Sequence, residues 1–257
     1  KNHFIVFATK NGTVKKTSLE AYSRPRTNGV NAITIAEGDE VVDVRLTNGK
    51  NQLIMANRNG RAVYFDENTV RTMGRTATGV RGMRLDGGDD AVVGMIVVNN
   101  PETETVMVVS ETGYGKRSIV SDYRQTNRGG KGVKTLNITD KTGKLVAIKN
   151  VTDDNDLMII NKSGIAIRLA VANFRVMGRA TQGVRLINLS KKNDVIASVC
   201  KVKTSDKEDD LNENDEEHPN NEAMNTAEQG TANANNDAQI QGNDADGGPE
   251  VEADATE

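Results

Sequence analysis

Arginines and glycines are crowded together in four short strings of this chain. They are SRPRTNGV from Ser23, RTMGRTATGVR from Arg71, YRQTNRGGKGV from Tyr123 and RVMGRATQGVR from Arg175. A guanidinium offers a planar fork of donors, and a glycine beside it lets the main chain and its N–H groups come close. Together they suit phosphate groups better than any reacting bond. The cations in order are Arg24 and Arg26; Arg71, Arg75 and Arg81; Arg124, Arg128 and Lys131; Arg175, Arg179 and Arg185. Lys15, Lys16, Arg61, Lys116, Arg117 and Arg168 follow the turn glycines and extend the same set.

Catalytic chemistry has little to stand on. His3 falls on an expected strand and His218 lies near the other end of the chain, too few and too distant for a metal cage. Cys200 is the single cysteine, which precludes an intrachain disulfide and fits a reducing compartment. It has no evident histidine partner and reads as a buried apolar position. GYGKRS, from Gly113, lacks the upstream glycine of a phosphate loop, because Ser110 stands there. Asp39, Asp89 and Asp194 sit singly where turns are expected.

The charge is divided. Residues 204–257 hold 17 Asp and Glu against one Lys, whereas residues 1–203 hold 32 Lys and Arg against 19 Asp and Glu. The formal charge of −3 thus conceals a body at +13 and a tail at −16. A basic body points to a polyanionic partner. The tail has no apolar run with which to offset its ordering entropy, so disorder is expected there, and its carboxylates are expected to compete for the basic body. No apolar run is long enough to span a bilayer, and no membrane partner is expected.

What positions the cations is a repeat. Turn glycines at Gly12, Gly60, Gly113 and Gly164 are 48, 53 and 51 residues apart. Closing apolar residues at Tyr22, Val70, Tyr123 and Phe174 keep the same intervals. A second glycine series, Gly29, Gly79, Gly132 and Gly183, drifts with them. Four units of about 51 residues follow, near 1–50, 51–103, 104–153 and 154–203. Each reads as two β-hairpins. The first is clearest in QLIMANRNGRAVYF around Asn59-Gly60, a dipeptide suited to a type I′ turn. The second is clearest in GVRGMRLDGGDDAVVGMIVV. Four strands per unit, repeated, predict an all-β, propeller-like domain over 1–203, with 204–257 as an acidic tail. The basic strings join the two hairpins and should recur at one part of the rim. Of aromatic side chains on which bases could stack they hold just Tyr123, which the repeat phase assigns to the apolar closing position, so duplex DNA is favoured over single strands. A propeller that binds an acidic protein is the alternative.

KNGTVKKTSL, MGRTATGVRGMRLDGGDDAVVGMIV, TGYGKRS and VMGRATQGVRLI, followed by an acidic tail, resemble the C-terminal domain of the bacterial DNA gyrase A subunit. The resemblance spans residues 1–203. It implies a β-pinwheel, a propeller variant of six blades, that wraps duplex DNA, so this chain would be a fragment carrying the last four. It also implies a heterotetramer formed by the gyrase B subunit with the complete gyrase A subunit, cytoplasmic and bacterial, beside the nucleoid. ATP and Mg2+ would serve that holoenzyme and none is implied for this fragment, which matches nothing of the active-site tyrosine region. Gln125, Arg128, Gly129, Gly130, Lys131 and Gly132 resemble the end of the family's Gln-Arg-Arg-Gly-Gly-Lys/Arg-Gly box. The similar domain of the topoisomerase IV A subunit is the neighbouring possibility.

Overall fold

The structure, a computed structural model, describes residues 2–189 and 194–203. The expected acidic tail, 204–257, lies outside the described residues. Fifteen strands make up the described β-structure. The first repeat holds β1 (Phe4–Thr9), β2 (Thr13–Ser18) and β3 (Val41–Thr47); the second holds β4 (Gln52–Asn57), β5 (Arg61–Asp66), β6 (Val80–Arg81) and β7 (Val92–Val98). The third holds β8 (Thr105–Ser110), β9 (Tyr114–Ile119), β10 (Val133–Lys134) and β11 (Leu145–Val151). The fourth holds β12 (Asn155–Asn161), β13 (Ala166–Ala170), β14 (Val184–Arg185) and β15 (Ile196–Lys203). Four antiparallel sheets result, in a propeller-like arrangement of four repeats. No described helix is long and apolar enough to cross a membrane.

The expected first hairpin forms in every repeat, with a different turn. Ala56 pairs with Ala62, and the Gly60 N–H donates to the Asn57 carbonyl at 3.0 Å. That is a three-residue loop, Arg58 to Gly60, in which only the last position needs a left-handed backbone (φ of 73° at Gly60). A two-residue type I′ turn at Asn59-Gly60 would have shifted the pairing by one residue. The loop is held from the side: the Asn57 carboxamide oxygen accepts from the Arg61 N–H at 2.8 Å.

The expected second hairpin does not form. Its two arms go to different sheets. The sheet orders are β3-β1-β2-β6, β10-β5-β4-β7, β11-β8-β9-β14 and β13-β12-β15. Thus β6, from the second repeat, completes the sheet of the first, and β10 and β14 do the same one repeat further on. Of the two arms, only the last, β3, β7, β11 or β15, stays with its own repeat. The crossing is fixed by main-chain contacts as much as by side chains. The Gly12 carbonyl accepts from the N–H groups of Gly82 and Met83, that of Gly60 from Thr135 and Leu136, and that of Gly113 from Leu186 and Ile187. Gly132 shows why a glycine starts each exchanged arm. Its φ is 75°, and a Cβ there would lie 2.2 Å from the Ala62 carbonyl oxygen.

Three apolar layers lie between successive sheets. Along β4, Leu53 and Met55 pack with Val6, Ala8 and Val14 of the first sheet, while Ile54 and Ala56 pack with Val106 and Val108 of the third. Along β8, Met107 and Val109 turn the other way, to Leu157 and Ile159 of the fourth. Side chains alternate faces along a strand, so a strand between two layers is apolar throughout. The far face of the fourth sheet differs. Cys200, opposite Met158 on that face, is exposed rather than buried.

Candidate nucleic-acid interface

Each of the last three basic strings runs from a 3-10 turn to an exchanged arm, whereas SRPRTNGV of the first repeat follows such a turn with no described strand before β3. After β5 the turn is Glu67–Thr69, with the Asp66 carboxylate accepting from the Asn68 N–H at 2.7 Å. Its counterparts are Leu19–Tyr22, Val120–Asp122 and Val171–Asn173. The string is then pinned to the preceding repeat. Met73, Thr126 and Met177 donate their N–H groups to the carbonyls of Lys16, Tyr64 and Arg117, each at 2.8 Å. Past the string, β6, β10 and β14 pair with β2, β5 and β9. The three connections therefore cross the outer edge of the preceding sheet in one conformation, tied at both ends.

Two positions of each connection carry an exposed cation. Arg71, Arg124 and Arg175 follow the buried or half-buried closing residues Val70, Tyr123 and Phe174. Arg81, Lys134 and Arg185 end the exchanged arms. Arg24, Arg26 and Lys131 are exposed as well. Lys134 and the exposed Arg84 extend the set read from the sequence. The signal for Lys134 was present in Gly79-Val80-Arg81, Gly132-Val133-Lys134 and Gly183-Val184-Arg185, which keep the repeat phase. Some of these charges are engaged. Lys131 pairs with Asp86 at 2.5 Å, and its hydrogen bond holds the Asp86 carboxyl below its ordinary range. Arg185 donates from Nη2 to the Tyr114 hydroxyl at 3.0 Å and lies over the ring, lowering the phenol's pKa chiefly through that hydrogen bond.

Arg128 and Arg179 are half-buried and act between repeats. Arg128 donates from Nε to the Thr69 carbonyl and from Nη1 to the Arg81 carbonyl, both at 2.9 Å. Arg179 repeats this one unit later, to Asp122 at 2.9 Å and Lys134 at 2.8 Å. Arg75 occupies the same phase and is also half-buried. Around Arg128 the box-like motif closes on the second repeat: Gly129 donates to the Gly82 carbonyl at 2.6 Å, and Arg84 to that of Gly130 at 2.9 Å. Arg124 and Gln125 line an adjoining groove with Asp66 and Thr69.

Four of the expected DNA-binding cations are not at a surface. Lys15, Lys16, Lys116 and Arg117 are buried. Lys15 donates to the carbonyls of Ala32 (2.5 Å) and Arg75, and Lys116 to that of Gly178 at 2.6 Å. Burial lowers both ammonium pKa values, that of Lys116 to about 8. Lys16 donates to the Glu67 carbonyl at 2.9 Å and faces its carboxylate at 3.6 Å. Arg117 meets Asp153 at 2.5 Å. The reason is the strand exchange: β2 and β9 lie inside their sheets, and the next repeat's connection covers them. Arg61 and Arg168 are half-buried, Arg61 donating to the Gly132 carbonyl at 3.2 Å and Arg168 to Asp156 at 2.8 Å.

Sheets completed by a strand of the next repeat, with cationic connections along their outer edges, define a strand-exchanged β-propeller domain with a basic edge. The family model for the DNA gyrase C-terminal domain, beta-propeller, matches residues 3–48, 51–99, 104–152 and 155–201, and the chain belongs to that family. The DNA gyrase A subunit of Staphylococcus aureus (strain NCTC 8325 / PS 47) is 46% identical over 216 residues, covering 84% of this chain and 24% of the relative. The chain thus spans about a quarter of the length of the curated relatives it matches. Among solved structures, the C-terminal domain of DNA topoisomerase IV superposes with a TM-score of 0.75 at 29% identity, covering 82% of this chain and 65% of that one. The DNA gyrase A C-terminal domain gives 0.69 at 25% identity, covering 78% and 66%.

Proposed function

We propose that this domain binds duplex DNA without sequence specificity and bends it along the edge formed by the exchanged connections. One observation carries the reading: Arg71, Arg124 and Arg175, and again Arg81, Lys134 and Arg185, are exposed at equivalent points of successive repeats. A curved duplex needs phosphate contacts at intervals, because bending its stiff backbone is offset only when several sites engage together. The domain is not catalytic. As part of a gyrase A subunit it would present wrapped DNA to the cleaving and ATP-driven parts of a cytoplasmic bacterial enzyme, and so favour negative supercoiling.

The test is a salt titration of duplex binding. Replacing Arg71, Arg124 and Arg175 together by Glu should weaken binding strongly at low salt. It should also flatten the dependence of log K on log salt by about 0.9 for each phosphate that is no longer neutralised. Unchanged affinity would end the reading, and equal loss of affinity for a polyglutamate of matched charge would favour an acidic protein partner.

A further inference from the structure

The strands β3, β7, β11 and β15, the last arms of the four repeats, pack side by side in that order. Where they meet, a cavity of about 380 Å³ is lined by Arg45 and Leu46, Val97 and Asn99, Lys149 and Asn150, and Cys200 and Lys201. None of these residues belongs to the proposed DNA edge. The cavity has an excess of positive charge. Arg45 is paired with Asp43 at 3.0 Å, and Glu104 is held by the Asn99 N–H at 3.1 Å. Among the described residues, that leaves the ammonium groups of Lys149 and Lys201 without a carboxylate partner, Lys201 reaching only the Asn150 carboxamide oxygen at 3.5 Å. Burial, and then the neighbouring Arg45, Lys149 and Lys203, lower the Lys201 pKa against the opposing pull of Glu104. An anion seated here would relieve that repulsion.

The chain itself supplies one. β15 lines the cavity and ends at Lys203, and the residues that follow include Asp206, Glu208, Asp209 and Asp210, with Lys207 the one opposing charge. At about 3.3 Å per extended residue, these carboxylates lie within about 10–23 Å of Lys203, so they can turn back onto a site two residues before the strand's end. Tethering that short raises the local carboxylate concentration far above that of any free competitor. We propose that the acidic segment 206–210 docks into this cavity, its carboxylates on Lys149 and Lys201. The seat of the tail is then the meeting point of the inner strands and not the basic edge. This assignment stands whether or not the edge binds DNA.

Cys200 reports on it, being the single cysteine, exposed, and part of the cavity wall. The measurement is the rate at which iodoacetamide, a neutral reagent, alkylates the 257-residue chain. Truncation after Lys203 should speed alkylation by about threefold or more, because a tethered cover is lost. Lys149→Glu in the full chain should speed it equally, Lys149→Arg should not, and Lys149→Glu in the truncated chain should change nothing. Salt near 1 M, where screening acts over about 3 Å, should bring the full chain to the truncated rate. This last arm needs no folded variant. A truncation without effect overturns the proposal. So does a full chain whose slow rate survives both Lys149→Glu and high salt, since shielding by mere proximity would then explain it.

Discussion

The guanidinium of Arg128 holds the carbonyl oxygen of Arg81 at 2.9 Å, joining the third repeat to the exchanged arm of the second. Its Nε secures Thr69 in the same way, so one side chain fixes both ends of the connection that carries Arg71 and Arg81. A residue whose type suggested a phosphate ligand thus has two of its donors committed to the fold.

Arg128→Ala should therefore cost about 2–3 kcal/mol of stability, since two carbonyls lose charged donors. DNA affinity should fall through misplacement of Arg71 and Arg81. The salt slope should fall with it, since misplaced Arg71 and Arg81 neutralise fewer phosphates, but only together with the loss of stability, whereas Arg71→Ala should lower the slope by about 0.9 without destabilising the domain. Thermal melting and salt titration on the same two variants separate the roles.

How much of this was legible in the chain depends on range. Period-two apolar runs and turn glycines are local, and they announced the first hairpins and the repeat. The exchange of β6, β10 and β14 was not legible, because each pairs through only two residues with a strand in the preceding repeat. The misread cations follow from that. Lys15 and Lys116 looked like surface cations because nothing near them in sequence shows that another repeat covers β2 and β9. Cys200 looked like core because its strand is apolar in alternation, although no described sheet packs on that face.

The exchange makes a paired prediction about glycines. Gly29 and Gly132 hold the same phase and nearly the same φ, 76° and 75°. A Cβ at Gly29 meets nothing within 4 Å, whereas at Gly132 it would collide with the Ala62 carbonyl. Gly29→Ala should cost only the left-handed backbone strain, about 1–2 kcal/mol. Gly132→Ala should cost more than that and free β10 from β5. Hydrogen exchange at the amides of Thr135 and Leu136, which donate to Gly60, should rise in the second variant alone.

The ion pair under the first connection predicts a non-additive result. Glu67 is fully buried, accepting from the Thr47 hydroxyl and the Asn51 N–H, both at 2.7 Å, and facing Lys16. Lys16→Met leaves that carboxylate without its cation and should cost about 3–5 kcal/mol. Adding Glu67→Gln should recover part of the loss, because a neutral acceptor needs no counter-charge. Urea denaturation of the two single variants and the double variant closes the cycle; strictly additive losses would show that the pair is not coupled.

Lys116 should be visible in the pH dependence of stability. Its folded pKa is about 8 against an ordinary 10.5, burial being the main cause, with Arg179 adding repulsion and Asp122 opposing it. Below about pH 8 the ammonium is protonated in both states, and its unfavourable burial is constant. Between about 8 and 10.5 the unfolded chain binds more protons than the folded one, so stability contributed at this site rises with pH. Above that window both states are neutral and the contribution levels off. Lys116→Met removes the titrating group while keeping an unbranched apolar stem. The stability of the wild type relative to this variant should hence be flat to about pH 8, climb through about pH 9 and 10, and then stop climbing. A difference that instead stayed flat to about pH 10.5 and fell above it would mean that the hydrogen bond to Gly178, which favours the charged form, outweighs desolvation.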